Sequence, residues 1–226
     1  MADVERLFHL DWLGRVQPIE GLVFSEPVLT EAKVMFRRPR AERLRFADLC
    51  SPSPSQPTTH VIGDHNRLWF DLLGFDQTDF DTGEDLLPGT SVYVAEGEQT
   101  LTPTLALRTG DGTTPQTRYG MLVWVIPEHL DLDANEVQTG PWNYPPIEKM
   151  ARMLSATGVP IGLLCNGRVT RLVYLPGGGA IGWVNFVTDH MLARDGASIL
   201  DAFWSLLDAG RWFRVPEARR LPVPGL

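Results

Sequence analysis

What this chain has little of sets the first limits on its function. Among 226 residues only Cys50 and Cys165 are cysteines, and they lie far apart in the sequence. Such a pair makes neither a disulfide framework nor the spacing of a zinc knuckle, so we expect two reduced thiols. No apolar run approaches the ~18 residues that span a bilayer, and the first residues lack the basic start and apolar stretch of a signal peptide. These absences predict a cytoplasmic protein with no membrane partner.

Lysine is also scarce, because Lys33 and Lys149 are its only occurrences and arginine carries the rest of the positive charge. A formal net charge of −8 excludes a surface that is basic throughout, although a local nucleic-acid patch remains open. The densest positive run consists of Arg37, Arg38, Arg40, Arg43 and Arg45. We predict that Arg37, Arg38, Arg40 and Arg43 contact DNA phosphates or an acidic partner surface. Arg214, Arg219 and Arg220 could join them, and a solvated arginine-rich loop is the alternative.

Most catalytic constellations are missing. The histidines His9, His60, His65, His129 and His190 include no pair three or four residues apart, so a zinc site has no support. No serine or cysteine occupies a nucleophile elbow. The acidic segment Asp76–Asp85 lacks the spacing of a Ca²⁺ loop, and a solvated loop is predicted there. The cluster Glu128, Asp131 and Asp133 is open to two interpretations, a metal site or solvated loop acids.

One Glu-x-Lys motif occurs, Glu31-Ala-Lys33, with Asp11 upstream as a candidate partner. In an extended segment, residues two apart share a face, which is the geometry of a nuclease strand. A surface ion pair is the other interpretation of the same two residues.

Breaker residues and composition divide the chain into three predicted parts. Residues 1–57 form an N-terminal extension that contains the arginine-rich segment and ends in the Ser/Pro linker Ser51–Pro57. Residues 58–213 form an α/β domain, and the Arg- and Pro-rich residues 214–226 form a linker or a truncated continuation. Strands mixed with helices predict a mixed central β-sheet flanked by helices.

Hydrophobic periodicity predicts the individual elements. The predicted helices are Val4–Leu13, Ala41–Cys50, Asn66–Leu73, a helix over Ile147–Leu154, and Ser198–Leu207. The predicted strands are Ser91–Ala95, Leu101–Arg108, Tyr119–Ile126, Val159–Cys165, Val169–Tyr174 and Ile181–Phe186, with Gly21–Phe36 as an extended segment. On the helix over Ile147–Leu154, Lys149 and Arg152 are placed off the apolar face.

The most specific local signal is Asn166-Gly167 between two strand-like runs. It predicts a tight hairpin with a type I′ turn, in which both central residues have positive φ. Helix, buried strand, Asn-Gly turn and second strand form a recognisable block.

This block and several other segments resemble one known protein family. The matching segments are Phe8–Gly14, Val16–Pro18, Gly21–Val23, Met121–Pro127, Asp131–Asp133, Leu154–Gly167, Arg171–Tyr174 and Gly182–Trp183. Together they resemble the N-terminal region of Eco57I-like restriction–modification methylases, a family that includes type IIG enzymes and adenine methyltransferases of phage-defence systems. The resemblance is spread over most of the chain and is strongest from about residue 121 to 213.

The resemblance implies a PD-(D/E)XK nuclease-like fold placed before a methyltransferase domain. That chemistry needs an acid at the end of one strand and an acid-x-Lys pair on the next, with the carboxylates holding Mg²⁺. Here Thr104 stands at the first position, and Trp124 and Ile126 stand at the other two. The resemblance therefore implies a catalytically degenerate nuclease module with no catalytic or metal-binding residues and no cofactor of its own. The partners implied are DNA and a methyltransferase domain or another defence-system subunit.

Methyltransferase motifs are missing from this chain. Asn143–Pro146 has the composition of a catalytic Asn-Pro-Pro-Tyr loop in the wrong order, and Gly177–Gly182 is a turn between predicted strands. SAM would bind only if a methyltransferase domain follows. The alternative function is an active Mg²⁺-dependent endonuclease whose ligands have moved to Glu31 and Lys33 or to Glu128 and Asp131. A protein-interaction domain without nucleic-acid contact is a third possibility.

Overall fold

The computed structural model describes residues 2–16, 24, 26–31, 40–136, 143–177 and 179–213. The α-helices are α1 (Ala2–Val16), α2 (Glu26–Glu31), α3 (Arg40–Leu49), α4 (Pro115–Arg118), α5 (Pro146–Thr157), α6 (Thr188–Leu192), α7 (Ala197–Leu207) and α8 (Ala209–Phe213). The strands are β1 (Cys50–Pro52), β2 (His60–Ile62), β3 (Phe80–Asp81), β4 (Val92–Val94), β5 (Gln99–Leu101), β6 (Leu105–Arg108), β7 (Tyr119–Val125), β8 (Ile161–Cys165), β9 (Val169–Tyr174) and β10 (Gly182–Val187). A wide helical turn, Arg67–Leu72, and single 3₁₀ turns connect some of them.

The fold is mixed α/β, as predicted, with a six-stranded sheet in the order β10-β9-β8-β7-β6-β3. Strand β6 pairs antiparallel with both β3 and β7, whereas β7 and β8 are parallel. A parallel pair needs a crossover connection, and α5 supplies it. Strand β8 is buried along its whole length, as is most of β7, so their continuous apolar sequences suit the centre of the sheet.

Helix α5 extends beyond the predicted Ile147–Leu154 by one residue at its start and three at its end. Pro146 occupies the first turn, where a missing N–H costs no hydrogen bond. Gly158 adopts a φ of 70° and its N–H donates to the Leu154 carbonyl at 2.9 Å, which stops the helix. The prediction that Lys149 lies off the buried face is wrong, because its side chain is fully buried. It shares a line along the helix with the buried residues Pro146 and Met153, so α5 is covered on a wider arc than its apolar stripe.

The Asn-Gly connection is present, but the predicted type I′ turn is not. Gly167 has a φ of 83°, whereas Asn166 is not among the residues with positive φ. The Asn166 side chain donates to the Leu130 carbonyl at 2.9 Å, which holds it in a tertiary contact. The turn prediction fails because Asn166 serves this contact and only the glycine takes the left-handed conformation.

Contacts divide the chain into two compact units. The first unit comprises Met1–Gln77, Gly167–Thr170 and Trp183–Leu226, and the second comprises Thr78–Asn166 and Arg171–Gly182. These limits differ from the predicted division at residues 57 and 213, which stays a prediction about domains. Residues 214–226 lie outside the described part of the chain.

Aromatic packing forms the interior of the first unit. Phe46 contacts Phe203 and Trp204, and Phe186 contacts Phe203, with ring centroids 5.3–6.3 Å apart. The Trp204 indole donates to the Leu72 carbonyl at 3.2 Å, so its polar atom is satisfied in the core. Helices α3 and α7 therefore meet around these rings, as their predicted apolar stripes require.

Three other local predictions need correction. The extended segment predicted over Gly21–Phe36 contains α2, whose second residue Pro27 suits the first turn of a helix. Ser51–Pro57, predicted as a linker, contributes to β1 and to its hairpin with β2. The helix over Asn66–Leu73 is confirmed up to Gly74, with a φ of 74°, but its turns are wider than those of an α-helix.

Within the described residues, no helix combines the length and the apolar character needed to cross a membrane.

Candidate functional site

The structure brings the three nuclease positions of the resemblance together beside β7. Thr104 directly precedes β6, its N–H donates to the Val123 carbonyl at 2.7 Å, and its hydroxyl accepts the Val125 N–H at 2.9 Å. Trp124 is half-buried in β7 opposite Leu164 of β8. Ile126 is buried and its N–H donates to the Cys165 carbonyl at 2.8 Å. The site is thus a strand junction closed by backbone hydrogen bonds.

The chemistry available at this junction is limited. The Thr104 hydroxyl is exposed, but it already serves as an acceptor for the end of β7. The indole of Trp124 and the sec-butyl side chain of Ile126 offer no oxygen ligand. Mg²⁺ takes oxygen ligands, with carboxylates supplying most of its protein contacts. The three positions therefore stabilise strand pairing and supply neither a metal ligand nor a general base.

The acids that follow β7 are held by other protein groups. The Asp133 N–H donates to an Asp131 carboxylate oxygen at 2.8 Å. The Asp133 carboxylate accepts two hydrogen bonds from Arg171, at 2.5 and 2.7 Å. This ion pair holds the pKa of Asp133 below its ordinary value, because the guanidinium stabilises the charged form. Arg171 itself is buried, so the pair fixes the loop to β9.

The acidic segment Asp76–Asp85 is only partly the solvated loop that was predicted. Asp76, Glu84 and Asp85 are exposed, whereas Asp81 is buried in β3. Its carboxylate accepts from Arg118 Nε and from the Tyr119 hydroxyl, each at 2.9 Å, and lies 3.3 Å from Arg108. Burial raises the pKa of Tyr119, and the hydrogen bond to Asp81 adds to the rise. The same carboxylate raises the pKa of Arg118. The arrangement is a satisfied polar cluster that links β3 to β6 and β7.

Candidate metal ligands do not converge. Among the described residues, no group of three or more histidine, cysteine, aspartate and glutamate side chains could hold a metal ion. Lys33 and the side chain of Glu31 lie outside the described part. Asp11, the proposed upstream partner of that pair, accepts a short hydrogen bond from the Ser198 hydroxyl.

The predicted nucleic-acid contacts are only partly described. Arg37 and Arg38 lie outside the described residues, as does the side chain of Arg40 at the start of α3. Arg43 donates to both carboxylate oxygens of Asp201, at 3.0 and 2.8 Å. Because the Asp201 carboxylate is 4% exposed, Arg43 is the counter-ion of a buried charge. A phosphate contact by Arg43 would have to compete with this pair, and the four residues stay a prediction.

Two further charged pairs also escaped the sequence analysis. Lys149 Nζ donates to Glu136 Oε2 at 2.8 Å, and both side chains are buried. The sequence contains one indication that Lys149 is buried. On a helix it lies in line with Pro146 and Met153, between two apolar residues. His60 Nδ1 lies 2.8 Å from an Asp189 carboxylate oxygen, which nothing in the spacing of these residues indicated.

The thiol of Cys50, which is influenced by the charge of Asp189, is held in its protonated form. Burial, reinforced by the negative charge of Asp189, raises the pKa of Cys50 to about 12. Its Sγ donates to the Phe46 carbonyl at 3.3 Å. Because the thiolate is the reactive form, the combination of Cys50, His60 and Asp189 does not provide acyl-transfer chemistry.

No family model matches the chain, and no curated protein or solved structure matches it either.

Proposed function

We propose that the chain is the nuclease-like, catalytically inactive module of a DNA restriction–modification or phage-defence methyltransferase system, and that it contacts DNA or a partner subunit. The observation that carries the proposal is the junction of Thr104 with β7. The antiparallel strands β6 and β7 meet at this junction, and hydroxyl, indole and sec-butyl groups stand where the resemblance expects the acids and the lysine.

The surrounding topology supports this assignment. An antiparallel pair, β6 and β7, is followed by the crossover helix α5 and by β8 parallel to β7. The junction lies at the start of β6, where the first acid would stand, and at the end of β7, where the acid-x-Lys pair would stand. Such a scaffold can persist without catalysis because its strand pairing does not depend on carboxylates.

The alternative is an endonuclease with relocated ligands. The Glu128 and Asp131 location is weakened by the hydrogen bond from Asp133 to Asp131 and by the ion pair of Asp133 with Arg171. These contacts occupy acceptor positions that a divalent cation would need. An assay that includes Asp131→Ala separates the two functions directly.

The cleavage test uses supercoiled plasmid with Mg²⁺ or Mn²⁺. We expect no nicking above the buffer background, and no difference between the natural chain, Asp131→Ala and the double variant Glu31→Ala/Lys33→Ala. Cleavage that one of these variants abolishes would overturn the inactive assignment and locate the metal site. Cleavage of equal rate in all three proteins would indicate a contaminating nuclease and calls for repurification.

The DNA-binding test compares two triple variants by fluorescence anisotropy at several salt concentrations. The first replaces Arg37, Arg38 and Arg40 with alanine, and the control replaces the exposed residues Arg67, Arg152 and Arg194. Both remove three positive charges, so non-local charge effects cancel. If the arginine segment binds phosphates, only the first variant flattens the salt dependence, by about 2–3 in the slope of log K against log salt. Equal losses in both would exclude this segment, and no binding by the natural chain would leave a partner subunit as the contact.

A further inference from the structure

The Asn166-Gly167 turn between β8 and β9 has a reactivity of its own. Of the five asparagines in the chain, Asn166 alone is followed by glycine. In an Asn-Gly sequence the backbone nitrogen of the glycine can attack the side-chain carbonyl carbon of the asparagine, because no Cβ of the following residue shields that nitrogen. Among the asparagines of this chain, Asn166 is therefore the one whose sequence favours spontaneous deamidation.

We propose that Asn166 is a latent deamidation site, which the fold protects while residues 127–136 are in place and which reacts when they open. We call these residues the 127–136 segment. The modification site consists of two residues of this chain and water, and it needs no enzyme. The proposal does not depend on contact with DNA or with a partner subunit.

The reaction replaces the side-chain amide of Asn166 by a carboxyl group. The N–H of Gly167 first loses its proton to a base in the solvent, and the nitrogen then bonds to Cγ of Asn166. The bond between Cγ and Nδ2 breaks, and Nδ2 takes up a proton and leaves as ammonia, so that a cyclic imide remains. Water opens this ring at either carbonyl and gives aspartate or isoaspartate. Asparagine and water are thus converted to an acidic residue and ammonia, with no electron transfer.

The fold restrains the side chain that would have to react. Asn166 is 4% exposed, and its Nδ2 donates to the Leu130 carbonyl at 2.9 Å. This hydrogen bond fixes the leaving nitrogen and keeps the side chain in one rotamer, whereas ring closure requires freedom of rotation about its side-chain bonds. Burial also limits the access of the base and the water that the reaction needs. The folded chain therefore protects Asn166.

The contacts of the 127–136 segment determine how long this protection lasts. Arg171 donates two hydrogen bonds to the Asp133 carboxylate, and Lys149 binds Glu136 at the end of the segment. Residues 127–136, all of which the structure describes, contain no helix or strand. Because a loop that is held by a few side-chain contacts opens more often than the whole fold, we expect local opening here. Opening withdraws the Leu130 carbonyl and frees the amide of Asn166.

Deamidation would prevent the segment from closing as before. The product has a carboxylate where Nδ2 donated, so an acceptor faces the Leu130 carbonyl and a negative charge enters a buried position. Isoaspartate also adds a methylene group to the backbone beside Gly167, where an added Cβ would lie 3.0 Å from the Ile62 carbonyl oxygen. Each opening that leads to reaction is therefore recorded as a permanent loss of the contact between Asn166 and Leu130.

Peptide mapping by mass spectrometry tests the proposal on the full chain in mildly alkaline buffer. We expect Asn166 in the folded chain to deamidate at least about a hundredfold more slowly than in the same chain unfolded in urea, because only the open fraction reacts. Asn166→Gln should give almost no product at this position, since glutamine has to close a larger ring. Equal rates in the folded and unfolded chains overturn the proposal, and so does an Asn166 that stays intact in urea.

Two variants test whether the 127–136 segment controls access to Asn166. Asp133→Ala removes the ion pair with Arg171 without adding a second amide, and it should accelerate deamidation of the folded chain about tenfold. The matched control Ile199→Val removes one methyl group from the core of the first unit and should stay within about twofold of the natural chain. Circular dichroism checks that both variants remain folded during incubation. Equal acceleration in both variants, or none in Asp133→Ala, overturns the role of the segment.

Discussion

Lys149 and Glu136 form an ion pair inside the second unit, with Nζ 2.8 Å from Oε2 and no exposed part of the lysine side chain. Both side chains are buried, so the attraction between their charges offsets part of the cost of removing them from water. The pair attaches α5 to the segment that precedes it, and it does so at the crossover between β7 and β8. Breaking this pair is therefore expected to lower the free energy of unfolding more than breaking any surface ion pair in the chain.

Removing one member of this pair should be strongly destabilising. We expect Lys149→Met alone and Glu136→Leu alone each to lower the free energy of unfolding by about 3–5 kcal/mol, because the buried charge that remains loses this counter-ion. The double variant should cost clearly less than the sum of the two. Urea denaturation measures all three, with Arg152→Met as control. Arg152 pairs with Glu96 at the surface, where about 0–1 kcal/mol is expected. Additive losses would show that the two charges are not coupled.

The ion pair of Asp133 with Arg171 predicts a loss of stability in acid. Because Arg171 lowers the folded-state pKa of Asp133, the contribution is fully present above the unfolded-state pKa of about 3.9. It decreases as the pH falls through the lower, folded-state value. The gap in unfolding free energy between the natural chain and Asp133→Asn should thus be constant from pH 7 to about pH 5 and close below about pH 4.

Urea unfolding at several pH values measures this gap. In an Arg171→Gln background, the difference in unfolding free energy caused by Asp133→Asn should not depend on pH in this acid range, because the cause of the lowered pKa of Asp133 is gone. A gap that closes between pH 7 and 5 would contradict the assignment.

Both thiols should resist modification in the folded protein. With its pKa raised to about 12, Cys50 carries about one thiolate in ten thousand at pH 8, and Cys165 is fully buried. We expect a thiol reagent to label neither cysteine in native buffer at a rate near that of a free thiol, and to label both in urea. Asp189→Asn should accelerate labelling of Cys50 only modestly, because burial is the larger cause of the shift. Rapid labelling in native buffer would contradict this expectation.

Within the acidic segment Asp76–Asp85, substitution of Asp81 should lower the free energy of unfolding most. Asp81→Asn removes the charge that Arg118 and Arg108 share, and we expect a loss of about 2–3 kcal/mol in unfolding free energy. The value stays below that of a fully buried pair because both arginines are partly exposed. Tyr119→Phe should cost about 1 kcal/mol. Asp85→Asn, on the exposed part of the same segment, should change stability by less than about 0.5 kcal/mol. Thermal or urea unfolding distinguishes the three.

The sequence was most informative where one periodicity ran without interruption. Strands β7 and β9 and helix α5 were predicted to within a few residues, because their long apolar patterns specify them locally. The helix at Glu26–Glu31 was missed because six residues give too little pattern to outweigh the extended appearance of the surrounding segment.

The candidate site shows the limit of pattern reasoning more clearly. The positions Thr104, Trp124 and Ile126 were located from a family resemblance. The resemblance did not predict the hydrogen bond from the Val125 N–H to the Thr104 hydroxyl. Asp81 and Lys149 were taken as solvated, since charged residues are seldom buried without partners. Their partners, Arg118 and Glu136, come from other parts of the sequence, and only the tertiary fold brings them into contact.

The parallel pairing of β7 with β8 also has a consequence during synthesis. As the chain leaves the ribosome, β7 can pair at once with β6, yet its other edge must wait until the whole of α5 and then β8 have emerged. For that interval a seven-residue apolar strand presents unpaired backbone groups to solvent. Nascent chains that have emerged from the ribosome only as far as residues 126–160 should therefore be the forms most readily captured by chaperones. Slow elongation at that stage would carry the greatest risk of aggregation.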